Sequence, residues 1–180
     1  MKHANTIALT GAVICLVGCA APTKVAVLGP IGPAPTAQAQ NRGNGYLQVY
    51  SARQEADIDV NREEWLWNDD FGRNGFLYDT AETGYAIYNH DGKLRERVSN
   101  LRNQSGLGPA LVSLPPGLYE VRAEAEDHDS TIEVKFPVVI QAGRTTTAHL
   151  VSGWKPRHHY TDDEVVRLPD GDIAGWLAVR

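Results

Sequence analysis

LPPGLYEVRAEAEDHDSTIEVKFPVVIQAGRTTTAHL, residues 114–150, is the stretch on which the fold turns. In it Tyr119, Val121, Ala123 and Ala125 alternate with Glu120, Arg122, Glu124 and Glu126. Successive side chains of a strand point to opposite faces, so this pattern describes a strand with one apolar and one solvated face, as in antiparallel sheets. Ile132, Val134, Phe136, Val138 and Ile140 repeat the pattern opposite Glu133 and Lys135, and Thr146, Ala148 and Leu150 repeat it facing away from Thr145, Thr147 and His149. Between these runs lie turn formers, Leu114-Pro115-Pro116-Gly117, Glu126-Asp127-His128-Asp129-Ser130 and Gln141-Ala142-Gly143. Strands joined this tightly are expected to be antiparallel neighbours.

Working outward, Gly45 to Ser51 and Tyr85 to Asn89 read as strands, and Asp91-Gly92 as a two-residue hairpin turn. Lys93 to Leu101 also fits a helical stripe through Leu94, Val98 and Leu101, but the turn before it calls for a returning strand. Glu164 to Leu168 and Ile173 to Val179 form a further hairpin around Pro169-Asp170-Gly171-Asp172. Seven to nine short strands and no long helix predict an all-β, antiparallel β-sandwich over residues 45–180. The block from Ala110 to Leu150 resembles the C-terminal half of carboxypeptidase-regulatory-like and PEGA-type domains. The likeness lies in LPPGLYEVRAEA, where a Pro-Gly turn launches a strand with an inward Tyr, and in VVIQAGRTTTAHL, where a Gly turn precedes a Thr-rich strand. The resemblance implies a prealbumin-like or immunoglobulin-like sandwich serving as a non-catalytic appendage of an envelope protein.

The chain has 180 residues, 42% apolar and 22% charged, with 17 Lys+Arg against 22 Asp+Glu. That is room for one domain and a tail. A net charge of −5 lacks the basic footprint a phosphate backbone requires, which argues against nucleic acid as a partner. Residues 1–18 read as an export signal: Lys2 and His3 precede an apolar run, Ile7 to Gly18, too short to span a bilayer. Leu16-Val17-Gly18-Cys19 resembles the lipobox of bacterial lipoprotein precursors. The resemblance implies that the chain is cut before Cys19, that its thiol carries diacylglycerol and that the new N-terminus is acylated. Two or three chains anchor stably where one does not. Ala20 stands where an Asp would resemble an inner-membrane retention signal, which implies the outer membrane. Cys15 leaves with the signal and Cys19 is a thioether, so the fold must be held by its core without a disulfide. Residues 19–44, with Pro22, Pro30, Pro33 and Pro35, read as a tether reaching up to about 70 Å if extended. The alternative is that Lys24 to Leu28 adds an edge strand.

Catalytic patterns mostly fail. Asn103-Gln104-Ser105-Gly106 lacks the first glycine of a nucleophile elbow, and no free thiol survives processing. Asp57-Ile58-Asp59-Val60-Asn61 opens like a calcium loop, but Arg62 and Asn68 stand where Gly and Glu are needed. The segment His158-His159-Tyr160-Thr161-Asp162-Asp163 is the candidate centre of a metal-dependent enzyme, though adjacent histidines on an extended chain diverge and a hydrated loop is the stronger reading. His149 alternates outward as a surface residue, while His90 and His128 fall in turns. Half of the aromatic residues lie at Trp65, Trp67, Phe71, Phe76, Tyr78, Tyr85 and Tyr88. If extended, Trp65 and Trp67 share a face, and with Tyr78 and nearby carboxylates they could form a platform for glycan or peptidoglycan. The competing and more economical reading is that these rings fill an open end of the sandwich. The expectation is a non-enzymatic, lipid-anchored envelope module without a cofactor, whose partners are the membrane and an envelope protein or glycan.

Overall fold

The computed structural model describes residues 25–35, 43–54, 81–100, 109–128 and 130–178. In chain order the strands are β1 (Val25–Val27), β2 (Ile31–Gly32), β3 (Gly45–Tyr50), β4 (Arg53–Gln54), β5 (Ala81–Glu82), β6 (Tyr85–Asn89), β7 (Leu94–Val98), β8 (Leu111–Leu114), β9 (Gly117–Asp127), β10 (Ser130–Ile140), β11 (Thr145–His149), β12 (Val165–Arg167) and β13 (Ile173–Leu177). A 3-10 turn, Asp162–Glu164, precedes β12. The large sheet runs β12-β13-β2-β10-β9-β6-β7, with β1 also on β10. The small sheet runs β11-β3-β8, and β4-β5 form a separate pair.

The all-β sandwich follows from alternation. Val121 and Ala125 of β9, with Val134, Phe136 and Val138 of β10, are wholly buried. They meet Leu47 and Val49 of β3, Val112 and Leu114 of β8, and Ala148 of β11 in one continuous core. Fully burying a side chain of this size stabilises by about 1.5–3 kcal/mol. This burial is what holds the two sheets together. β9 and β10 pair antiparallel from Gly117↔Ile140 to Asp127↔Ser130, which fixes the inward set on both.

Neighbours differ from expectation in three places. The Pro115-Pro116-Gly117 and Ala142-Gly143 turns are corners between sheets, not hairpins: β8 and β11 lie in the small sheet, β9 and β10 in the large one. Alternation names the face a residue occupies and leaves its partner strand open, so β11 pairs parallel with β3. The stretch expected to be a tether supplies β1 and β2, which pair parallel with β10, and Ile31 is wholly buried. The edge strand weighed for Lys24 to Leu28 is thus present over Val25–Val27. Finally, Asp91-Gly92 does not form a two-residue turn. Asn89 N–H donates to Lys93 O and Gly92 N–H to Asn89 O, closing a three-residue loop with Gly92 at φ 78°. The loop at Asp170-Gly171 repeats it bond for bond, with Leu168 N–H to Asp172 O, Gly171 N–H to Leu168 O and φ 97°. In each, the Asp carboxylate accepts from the backbone N–H two residues on.

The two glycine classes give a test. A Cβ at Gly92 meets nothing within 4 Å, so Gly92→Ala carries only the left-handed backbone cost, about 1 kcal/mol. A Cβ at Gly45 would overlap the Gln141 carbonyl oxygen and crowd Ile140, so Gly45→Ala should cost about 3 kcal/mol. Urea unfolding of the two variants checks the order, and equal midpoints would contradict it.

Candidate functional site

One end of the sandwich gathers the polar and aromatic groups. β3 ends there at Tyr50 and runs through Ser51 and Ala52 into β4, which pairs with β5 through Arg53↔Glu82 and Gln54↔Ala81. The chain leaves at residue 54 and returns at 81, and it leaves again beyond Asn100 and returns at Pro109, all at this end. Asn100 ties these points together. Its amide Nδ2 donates to Val49 O and Ser51 Oγ, both at 2.9 Å, and its Oδ1 accepts from Ala110 N–H at 3.2 Å. Ser51 Oγ donates onward to Thr83 O at 2.5 Å. Asn100 is 3% exposed and Ser51 0%, so each hydrogen bond satisfies a group that water cannot reach.

The node has two open places. Thr83 Oγ1 and Tyr85 Oη are buried without a hydrogen-bond partner. Burial, aided by the Glu96 and Glu82 carboxylates, pushes the Tyr85 phenol far above its ordinary value, so it stays a neutral donor. Burial also raises the Glu82 carboxyl, against a backbone hydrogen bond from Ser51 and the charge of Arg53. Beside it Arg53 Nε meets Glu126 Oε1 at 3.0 Å, and Glu126 Oε2 accepts from Ser152 N–H at 2.9 Å. Burial alone would raise Glu126, but the Ser152 N–H and Arg53 together hold it below the usual carboxylate range.

His149 is the residue that sequence placed wrongly. It does alternate outward, but it is no simple surface histidine. Register puts it opposite Tyr50, and its ring lies between Tyr50, at 4.7 Å and 11°, and Trp154, at 3.8 Å and 9°. Desolvation between the two rings lowers His149 to about 4, so the column is neutral at pH 7. His149 reads as outward from sequence, but only the parallel β3–β11 register makes it a neighbour of Tyr50.

Cys19, Trp65, Trp67 and Tyr78, together with Asp57–Asn61 and Ser105, lie outside the described residues. The His158–Asp163 segment lies within the described residues, and its acids are engaged with their own neighbours. His158 and His159 are exposed, Asp162 pairs with Arg167 at 2.6 Å, and Asp163 and Glu164 accept from Thr161. The acids thereby cap their own turn. Among the described residues no three His, Cys, Asp or Glu side chains are gathered where a metal ion could be held. No family model, no curated protein and no solved structure matches the chain.

The half-buried imidazole makes stability pH-dependent. Its folded value, about 4, lies below the unfolded 6.5, so the unfolded chain takes up the proton first. The contribution is fully present above pH 6.5 and is lost as pH falls toward 4. The ring is only partly shielded, which limits the effect to about 1–2 kcal/mol. His149→Phe keeps the stacking and removes the proton site, so its melting temperature should fall less between pH 7 and pH 4 than that of the native protein. Parallel curves would contradict the assignment.

Proposed function

We propose that the chain is a non-enzymatic, lipid-anchored binding module of the cell envelope, with the outer membrane as its site. The observation that carries the reading is the position of β1. Only residues 20–24 separate Cys19 of the lipobox from a strand of the main sheet. An extended chain spans at most about 3.3–3.6 Å per residue, so the β-body is held within about 20 Å of an acylated Cys19. A fixed, close stand-off suits a protein that presents one end of a rigid sandwich to a neighbour in the envelope. Binding is favoured over catalysis because most of the polar side chains described here are engaged with each other. Asn100 and Ser51 brace the backbone, Glu126 is committed to Arg53 and Ser152, and the acids before β12 cap a turn. The resemblance to carboxypeptidase-regulatory-like domains supports the same role by analogy.

A glycan is the second reading, and the Tyr50–His149–Trp154 column favours it. Neutral stacked rings offer the apolar surface that sugar C–H groups need, with the Arg53–Glu126 pair on the same end. Tryptophan emission should shift on adding peptidoglycan oligosaccharides and should lose that response in Trp154→Ala with the fold intact. A response unchanged in Trp154→Ala would remove the column from the glycan reading.

The anchor is tested separately. Cys19→Ser should abolish palmitate labelling and release the chain from the membrane. In the native protein, a dye at Val27→Cys should transfer energy to a lipid-headgroup acceptor as expected for a separation of about 20 Å. A processed, unlabelled Cys19→Ser protein that stays on the membrane would contradict the anchor, and a labelled protein whose dye sits far beyond that distance would contradict the stand-off.

A further inference from the structure

The outer face of the large sheet carries an open groove of about 700 Å³, within the size range of small-molecule sites. Gly84 and Ala86 give it a floor of small residues, and Arg97, Arg122, Glu124 and Glu133 line it. The register arranges these charges in rows. Arg97, Ala86, Arg122 and Lys135 stand side by side across β7, β6, β9 and β10. One step along the same face, two residues away, Glu124 stands directly opposite Glu133.

Like charges directly opposite each other across a strand pair are destabilising, and this face holds two such pairs, Arg122 with Lys135 and Glu124 with Glu133. The rows do not neutralise each other by direct pairing. Among the described residues Arg97, Lys135, Glu124 and Glu133 form no ion pair. Arg122 turns the other way, to Glu120 at 2.8 Å, and its guanidinium lies 4.3 Å from the centroid of the Tyr88 ring. That stacking holds a planar cation in place at the groove wall.

We propose that this groove binds a short zwitterionic peptide, its carboxylate taken by Arg122 and its ammonium by Glu124 and Glu133. The spacing selects the length. Two residues along a strand separate the rows by about 6.6–6.8 Å. An extended dipeptide places its two charged ends about 7 Å apart. A ligand of that length sets a carboxylate on the guanidinium row and an ammonium on the carboxylate row, relieving both like-charge pairs with charge-assisted hydrogen bonds. The groove is on the face of the large sheet and does not depend on lipid at Cys19.

The test is a titration of the full-length protein with alanyl-alanine, followed by amide chemical shifts. Shifts should appear at Ala86, Arg122 and Glu133. N-acetyl-alanyl-alanine and alanyl-alanine amide, each lacking one charge, should bind at least about tenfold more weakly. Glu124→Thr should lose binding while keeping or raising the melting temperature, because it removes one member of the Glu124–Glu133 like-charge pair. Loss of fold is thereby separated from loss of the site. Capped and free dipeptides binding alike, no shift at millimolar dipeptide, or a response only to a divalent cation at Glu124 and Glu133 would each overturn the proposal.

Discussion

The β9–β10 pairing is the constraint on which the rest of the molecule depends. Eleven residues on each strand are locked in one antiparallel register, and a slip by a single residue would turn Val121, Val134 and Phe136 out to water. Because that register is fixed, β10 presents a defined free edge to β1 and β2, and β9 presents one to β6. The same register also determines the outer face, since the charges of Arg122, Glu124, Glu133 and Lys135 are the complement of the buried set. Core and groove are two sides of one ladder.

Burial along the central strands was legible because period two needs no knowledge of partners. Tyr119, Val121, Ala123 and Ala125 are inward as the alternation requires, as are Val134, Phe136, Val138 and Ile140, and both Asp-Gly loops lie where turn chemistry placed them. Partner choice was not legible, because alternation is the same for a strand that turns back on its neighbour and for one that crosses to the opposite sheet. Hence the Gly143 and Gly117 corners read as hairpins. β2 has two residues, between Pro30 and Pro33, too few to show a period at all. What reveals it is the solitary Ile31, which has no counterpart in a solvated tether.

The end of the sandwich around Asn100 was harder still. Asn100 is one amide in a polar stretch, and nothing in its local sequence announces that it reaches Val49, Ser51 and Ala110. His149 and Trp154 are five positions apart with a turn between them, so their contact depends on the path of the chain beyond β11. A signal that could have been drawn from sequence is that rings stand at the ends of two strands, Tyr50 and His149, and it is informative only because β3 and β11 are adjacent. The His158–Asp163 run illustrates the converse: dense in ligand-type residues, it spends its carboxylates on the geometry of its own turn.

The account's central claim is that residues 25–35 belong to the β-body, completing its core and setting how far it stands from residue 19. Amide hydrogen exchange tests this most directly. Leu28 N–H donates to Lys135 O at 3.0 Å and Ala178 N–H to Pro30 O at 2.9 Å, so both amides should exchange slowly, in the range of the β9–β10 ladder. Exchange of Leu28 and Ala178 at the rate of an unstructured chain, with β9 and β10 still protected, would contradict it.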